Sequence, residues 1–162
     1  ILCTCKRFRS AGGLFIKQIL ARSLTQHQLN TVLLKQFATK GNIPDEAVHA
    51  LSHLCNAGAN VNHKDGDGWT PLHHAATKGD ENCLAILIKA NADVNSATTY
   101  IGKTPLYIAA RYDHEECVAT LIKANADVNV TTTDNGTTPL YIAACMGREK
   151  CVTKLIEANA LM

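Results

Sequence analysis

The sequence predicts an all-α repeat fold, a solenoid of stacked helix-turn-helix units joined by β-hairpin-like loops. Two observations predict it. Thr-Pro-Leu occurs at 70–72, 104–106 and 138–140, with a constant step of 34 residues. The stretch Leu87-Ile-Lys-Ala-Asn-Ala-Asp-Val-Asn95 returns unchanged as Leu121-Ile-Lys-Ala-Asn-Ala-Asp-Val-Asn129. A self-similar period of this length means one supersecondary unit, repeated and stacked. It favours binding over chemistry as the function.

Each element follows from its residues. Thr70, Thr104 and Thr138 suit helix N-caps, because the hydroxyl accepts from an early orphan N–H. Pro71, Pro105 and Pro139 come next, at the first helical position, where no N–H is needed. The alanine pairs 75–76, 109–110 and 143–144 let neighbouring helices approach closely. Gly79 and Gly147 end the first helix in their repeats, and Asp113 takes that place in the middle one. The second helix carries Leu84, Leu87 and Ile88, then Val118, Leu121 and Ile122, then Val152, Leu155 and Ile156, with helical spacing. Asn91, Asn125 and Asn159 close it as left-handed caps. Helices of about ten residues are unstable alone in water, so stacking must hold them.

At these residues the chain resembles ankyrin repeats. That pattern runs Asp-x-x-Gly-x-Thr-Pro-Leu-His-x-Ala-Ala, then a turn, then Leu-Leu-x-x-Gly-Ala-Asp-Val-Asn. The resemblance divides the chain into a basic segment with a capping helix at 1–30, a degenerate repeat at 31–64, repeats at 65–98 and 99–132, and a last, truncated repeat at 133–162. In the degenerate copy, Phe37-Ala-Thr-Lys-Gly41 echoes Ala75-Ala-Thr-Lys-Gly79. Gly58-Ala-Asn-Val-Asn62 precedes its counterpart by 33 residues, so a longer turn is expected around Asn42–Glu46. His73 sits where the family places a histidine bonded between repeats. Tyr107 and Tyr141 replace it later.

Composition narrows the class. The 162 residues are 46% hydrophobic and contain no apolar run long enough to span a bilayer. Residues 1–40 hold seven Lys and Arg and no acid, so the overall +2 hides a basic head on an acidic array. Residues 14–25 read as an amphipathic helix, either a cap on the first repeat or part of a basic, acid-free transit peptide. The chain ends inside a repeat, so a longer array or a partner is expected to cover the last helix. Seven cysteines is an odd number. Cys83, Cys117 and Cys151 share one position, spaced too far apart for disulfides, and read as small buried residues. Free buried thiols point to the cytoplasm, with the nucleus as an alternative.

The candidate chemistry is thin. Gly102-Lys103-Thr104 imitates the end of a phosphate loop, but Ala97 stands where that loop needs glycine. His49 and His53 have metal-ligand spacing without the glutamate of a zinc hydrolase. Cys3 and Cys5 have no evident partners. No nucleophile elbow is present. The reading is not an enzyme, with no cofactor and no metal.

The resemblance implies a protein-protein interaction module that binds a partner segment on its concave face, formed by hairpin tips and first helices. Residue by residue, this assigns Asp67, Trp69 and Lys78 in one repeat. Tyr100, Ile101, Lys103, Arg111 and Tyr112 follow in the next, then Asp134, Asn135 and Met146. The partner is a protein, with no nucleic acid, and the chain is monomeric or part of a longer array. The alternative is a substrate-recruiting or regulatory region of a larger enzyme or ligase complex. The resemblance also implies hydroxylation at Asn95 and Asn129, each after Asp-Val and eight residues beyond a leucine. The structural alternative is that each asparagine ties down its own turn.

Overall fold

The computed structural model describes residues 45–159 and Asn30. The basic segment, the expected helix at 14–25, Cys3, Cys5, the echo at 37–41 and the tail at 160–162 lie outside the described residues. Seven helices span the described stretch: α1 (Asp45–Asn56), α2 (Pro71–Lys78), α3 (Glu81–Lys89), α4 (Pro105–Arg111), α5 (Glu115–Lys123), α6 (Pro139–Cys145) and α7 (Glu149–Glu157). No strand is formed among these residues. The first helices α2, α4 and α6 stack as one layer, and the second helices α1, α3, α5 and α7 as another. Each first helix also packs on the second helix of its own repeat.

The core lies between the layers. Leu51, Leu72, Leu84, Leu87, Leu106, Leu121 and Leu155 are fully buried, each at 0% exposure. Burying such a side chain is worth about 1.5–3 kcal/mol, so these positions hold helices that propensity alone cannot. Ala75, Ala76, Ala109, Ala110 and Ala143 are also buried, so the first helices stack closely through small side chains.

Two of the three expected caps form as expected. Thr104 Oγ1 accepts from the Tyr107 N–H at 3.3 Å, and Thr138 Oγ1 from the Tyr141 N–H at 3.1 Å. Thr70 differs, because the residue three positions on is histidine. Its hydroxyl lies 2.8 Å from His73 Nδ1, and the same nitrogen accepts from the Thr70 N–H at 3.0 Å. The imidazole thus plays the part of the glutamate in a capping box.

The helix ends match the expectation closely. Asn91, Asn125 and Asn159 take φ of 64°, 63° and 61°, and Asp113 takes 66° in the place that Gly79 and Gly147 fill elsewhere. Around Asn91 the Ala92 N–H donates to Leu87 O and the Asn91 N–H to Ile88 O, both at 2.9 Å. These are the paired bonds of a Schellman cap. Asp113 is followed by the same closure, with the His114 N–H donating to Ala109 O at 3.0 Å.

Cys83, Cys117 and Cys151 are free and buried at the starts of α3, α5 and α7. Burial pushes each thiol up to about 12, with nearby acids adding to it. They are packing residues held in the unreactive protonated form.

Candidate partner-binding face

Three hairpins project from the ends of the first helices, and a ladder of backbone bonds joins their tips. Asp65 builds the first tip: its Oδ1 accepts from the N–H of Asp67 at 3.1 Å and of Trp69 at 2.9 Å. The other two close through Thr98 N–H to Lys103 O and Thr132 N–H to Thr137 O, each 3.0 Å. Successive tips are then tied together. The Thr99 N–H donates to Asp67 O at 3.2 Å, and the Thr133 N–H to Ile101 O at 2.8 Å. Gly68 permits the first contact. It has φ of 81°, and a β-carbon there would run into Thr99.

A second row of ties runs along the far ends of the first helices. His114 Nε2 donates to Thr77 O at 3.0 Å, and Arg148 Nε to Arg111 O at 3.3 Å. Between these rows, His73 Nε2 donates to Lys103 O at 3.0 Å, crossing from the second repeat to the third. With Nδ1 accepting and Nε2 donating, the ring must be neutral. Burial lowers its pKa to about 4, so it is neutral across the physiological range.

The residues assigned to partner binding fall into two groups on this frame. Asp67, Tyr100, Ile101, Asp134 and Asn135 are at the hairpin tips. Lys78, Arg111, Tyr112 and Met146 are at the ends of the first helices. Tyr100 is 73% exposed, Tyr112 48% and Met146 42%. The Arg111 guanidinium lies 6.0 Å from the Tyr112 ring centroid, a cation–π spacing. Lys78, Lys103 and Arg111 are half-buried, whereas Asp67, Asp134 and Asn135 are exposed. The Asp134 carboxyl is lowered by its hydrogen bond with Thr132. Trp69 stands apart from the tyrosines. It is half-buried, with its ring 5.8 Å from that of His73 and 5.4 Å from that of His74. His74 in turn contacts Asp65 Oδ2 at 3.2 Å. The indole therefore props the first hairpin as well as showing an edge to solvent.

Asn95 and Asn129 are exposed, in the connections that lead from α3 and α5 into the second and third hairpins. Their own turns are tied by the preceding acids: Asp93 Oδ1 accepts from the Asn95 N–H at 3.0 Å, and Asp127 Oδ1 from the Asn129 N–H at 2.9 Å. The Asn95 side chain reaches forward instead. Asn95 Oδ1 accepts from the Asp127 N–H of the next repeat at 2.8 Å, just as Asn62 Oδ1 accepts from the Asp93 N–H at 2.7 Å. For Asn95 the structural role is thus between repeats, not within its own turn. Sequence reasoning also missed the bridging residues Thr99, Thr133, His114 and Arg148. A signal was present, since Thr99 and Thr133, and the bases His114 and Arg148, each recur at the repeat spacing.

His49 is exposed and His53 half-buried on α1. Among the described residues, no three His, Cys, Asp or Glu side chains come together as metal ligands. No helix of the described residues is long and apolar enough to cross a membrane.

Comparison with known proteins decides the lineage. The family profile for ankyrin repeats in three copies matches residues 34–132 and 101–161. The chain belongs to the ankyrin-repeat family. Ankyrin repeats are in general protein-interaction modules. The chain is similar to the Protein VAPYRIN-LIKE of Medicago truncatula, 59% identical over 32 residues, which is 20% of this chain and 7% of that protein. It is 41% identical over 66 residues to cortactin-binding protein 2 of Oryctolagus cuniculus, 40% of this chain and 4% of that protein. It is also 35% identical over 65 residues to the human 2-5A-dependent ribonuclease, 36% of this chain and 9% of that protein. The matches span less than a tenth of these relatives' own length.

Proposed function

We propose that this ankyrin array binds a segment of a partner protein across its hairpin tips and the ends of its first helices. One observation carries the reading: Tyr100 and Tyr112 hold 73% and 48% of their surface in water on a frame that hydrogen bonds already hold in place. Tyrosine and arginine are common interface anchors, and a preset frame loses little entropy when a partner arrives. Lys78, Lys103 and Arg111 favour a partner segment that is acidic or of mixed charge. Cortactin-binding protein 2 is, by its name, a binding protein, which agrees with this class of function. The unreactive buried thiols support a reducing compartment, cytoplasmic or nuclear.

The test replaces both tyrosines. Tyr100→Ala with Tyr112→Ala should weaken capture of a partner recovered by pull-down roughly thirty-fold, for a loss of about 2 kcal/mol at hot-spot positions. The melting transition should stay cooperative, because neither ring is in the core. Unchanged affinity would move the binding surface elsewhere. Trp69 is a poorer probe, since its removal also loosens the first hairpin.

A second reading is favoured by the similarity to a ribonuclease. The array would serve as the regulatory or substrate-recruiting region of a larger enzyme. Both readings use the same face. They differ in whether the protein that contains these repeats also carries a catalytic domain.

A further inference from the structure

We propose that Asn135, at the tip of the third hairpin, is a deamidation site, converted through its bond to Gly136 into aspartate and isoaspartate. Of the twelve asparagines in the chain, Asn135 alone precedes a glycine. The reaction is an attack by the next residue's backbone nitrogen on the side-chain carboxamide, and a β-carbon on that residue crowds the approach. Gly136 has none. It is exposed, and a β-carbon built there meets nothing within 4 Å, so water and the carboxamide both have room.

The side-chain geometry favours the same residue. The Thr132 hydroxyl donates to Asn135 Oδ1 at 2.9 Å, and the Thr137 hydroxyl donates to the same oxygen. Two donors polarise that carbonyl and meet the negative charge that gathers on its oxygen as the nitrogen adds. Among the described residues, Asn135 Nδ2 has no hydrogen-bond partner, so the leaving nitrogen faces water. Asn95 differs on every count. Its Oδ1 accepts a backbone N–H of the next repeat, and Ser96 behind it is buried. One bond holds Asn135 back. The Gly136 N–H donates to Thr132 O at 3.1 Å and must let go before the nitrogen attacks. A single bond in an exposed loop opens far more readily than one in a core helix.

The atoms balance with water as the other reactant. The Gly136 nitrogen gives its proton to water and forms a bond to Asn135 Cγ. The Cγ–Nδ2 bond breaks, and that nitrogen takes up the proton and leaves as ammonia. Water then opens the five-membered imide. Opening at Cγ gives aspartate, and opening at the main-chain carbonyl carbon gives isoaspartate, whose backbone runs through the β-carbon. The first product keeps both hydroxyls as donors to a carboxylate. The second lengthens the backbone between Thr132 and Thr137, whose N–H and carbonyl close the hairpin. Either product sets a second negative charge beside Asp134. On the binding face proposed above, that charge opposes an acidic partner. This consequence rests on that reading, whereas the chemistry is tested with no partner present.

The experiment holds the 162-residue chain at mildly alkaline pH and body temperature and maps its peptides by mass over time. The peptide with Asn135 should gain one mass unit at least about tenfold faster than those with Asn95 and Asn129. Fragmentation of that peptide should show isoaspartate as well as aspartate. Gly136→Ala should slow the gain. Asn135→Gln keeps a carboxamide but cannot close the five-membered ring, so it should remove most of the released ammonia with the melt unchanged. It decides the matter even where alanine disturbs the left-handed turn. Equal rates at Asn135, Asn95 and Asn129, or undiminished ammonia from Asn135→Gln, would overturn the assignment. So would aspartate without isoaspartate, because direct hydrolysis would then replace the ring.

Discussion

The interface between the second and third repeats and the one between the third and fourth are built on the same plan with different chemistry. At the first, His73 links Thr70 behind it to Lys103 O ahead of it, and the ring is the polar centre of the contact. At the second, Tyr107 fills the corresponding place with only 5% of its surface exposed, and Thr104 turns its hydroxyl back to cap its own helix. The flanking ties are the same at both, with threonine amides at one end and a basic side chain at the other. The centre of the interface therefore tolerates exchange between a hydrogen-bonded imidazole and a packed phenol, while the rim keeps its backbone acceptors and exchanges only His114 for Arg148. One interface is sensitive to protons and the other to volume.

The largest expected effect concerns volume. Tyr107→Ala should cost about 3–5 kcal/mol, as truncation of buried aromatics does. Tyr141→Ala, the same change on an exposed side chain, should stay within about 0.5 kcal/mol. Urea titrations of both variants measure the contrast. Equal losses would mean that the ring position matters within its own repeat, not between repeats.

The proton-sensitive interface comes next. In the unfolded chain the His73 imidazole charges as the pH falls through 6.5, its ordinary value, whereas in the folded protein it stays neutral down to about 4. The unfolded state binds more protons in that window, so stability drops as the pH falls from about 6.5 to about 4 and levels off below. The size is roughly 3 kcal/mol. Carboxylates also titrate near the lower end, so the measurement is a difference. His73→Tyr, which copies the third repeat, should flatten the pH dependence by that amount. A parallel pair of pH–stability curves would show that the ring has no special place in the linkage.

The smallest effect on stability comes from the thiols. Cys145 is exposed and should react quickly with a thiol reagent without lowering the melting temperature. Cys83, Cys117 and Cys151 should react only as fast as the protein opens, because burial keeps them protonated. Peptide mapping over a time course gives the rates. Fast labelling at Cys117, which lies between two covered interfaces, would mean that the array breathes in the middle and not at its ends.

The sequence alone determined the repeat length, the helix starts and stops, the buried leucines and the cysteine row. These depend on local rules that recur every 34 residues: proline after threonine, asparagine or glycine at positive φ, apolar spacing on one helical face. Of the apolar and aromatic residues it assigned to the binding face, Tyr100, Tyr112 and Met146 are exposed, whereas Trp69 and Ile101 are half-buried. What it left open was decided across the repeat boundary. Whether Asn95 bonds its own turn or the next repeat depends on how close Asp127 N–H comes, and sequence spacing does not give that distance. Trp69 was assigned to the binding face by position alone, and only the tertiary structure set two imidazole rings beside it. Tyr107 and Tyr141 sit in identical runs, Thr-Pro-Leu-Tyr-Ile-Ala-Ala, yet one is buried and the other is in water. Local sequence cannot separate them, because the burial of a residue in a stacked array is set by the neighbouring repeat, whose residues lie about one repeat length further along the chain.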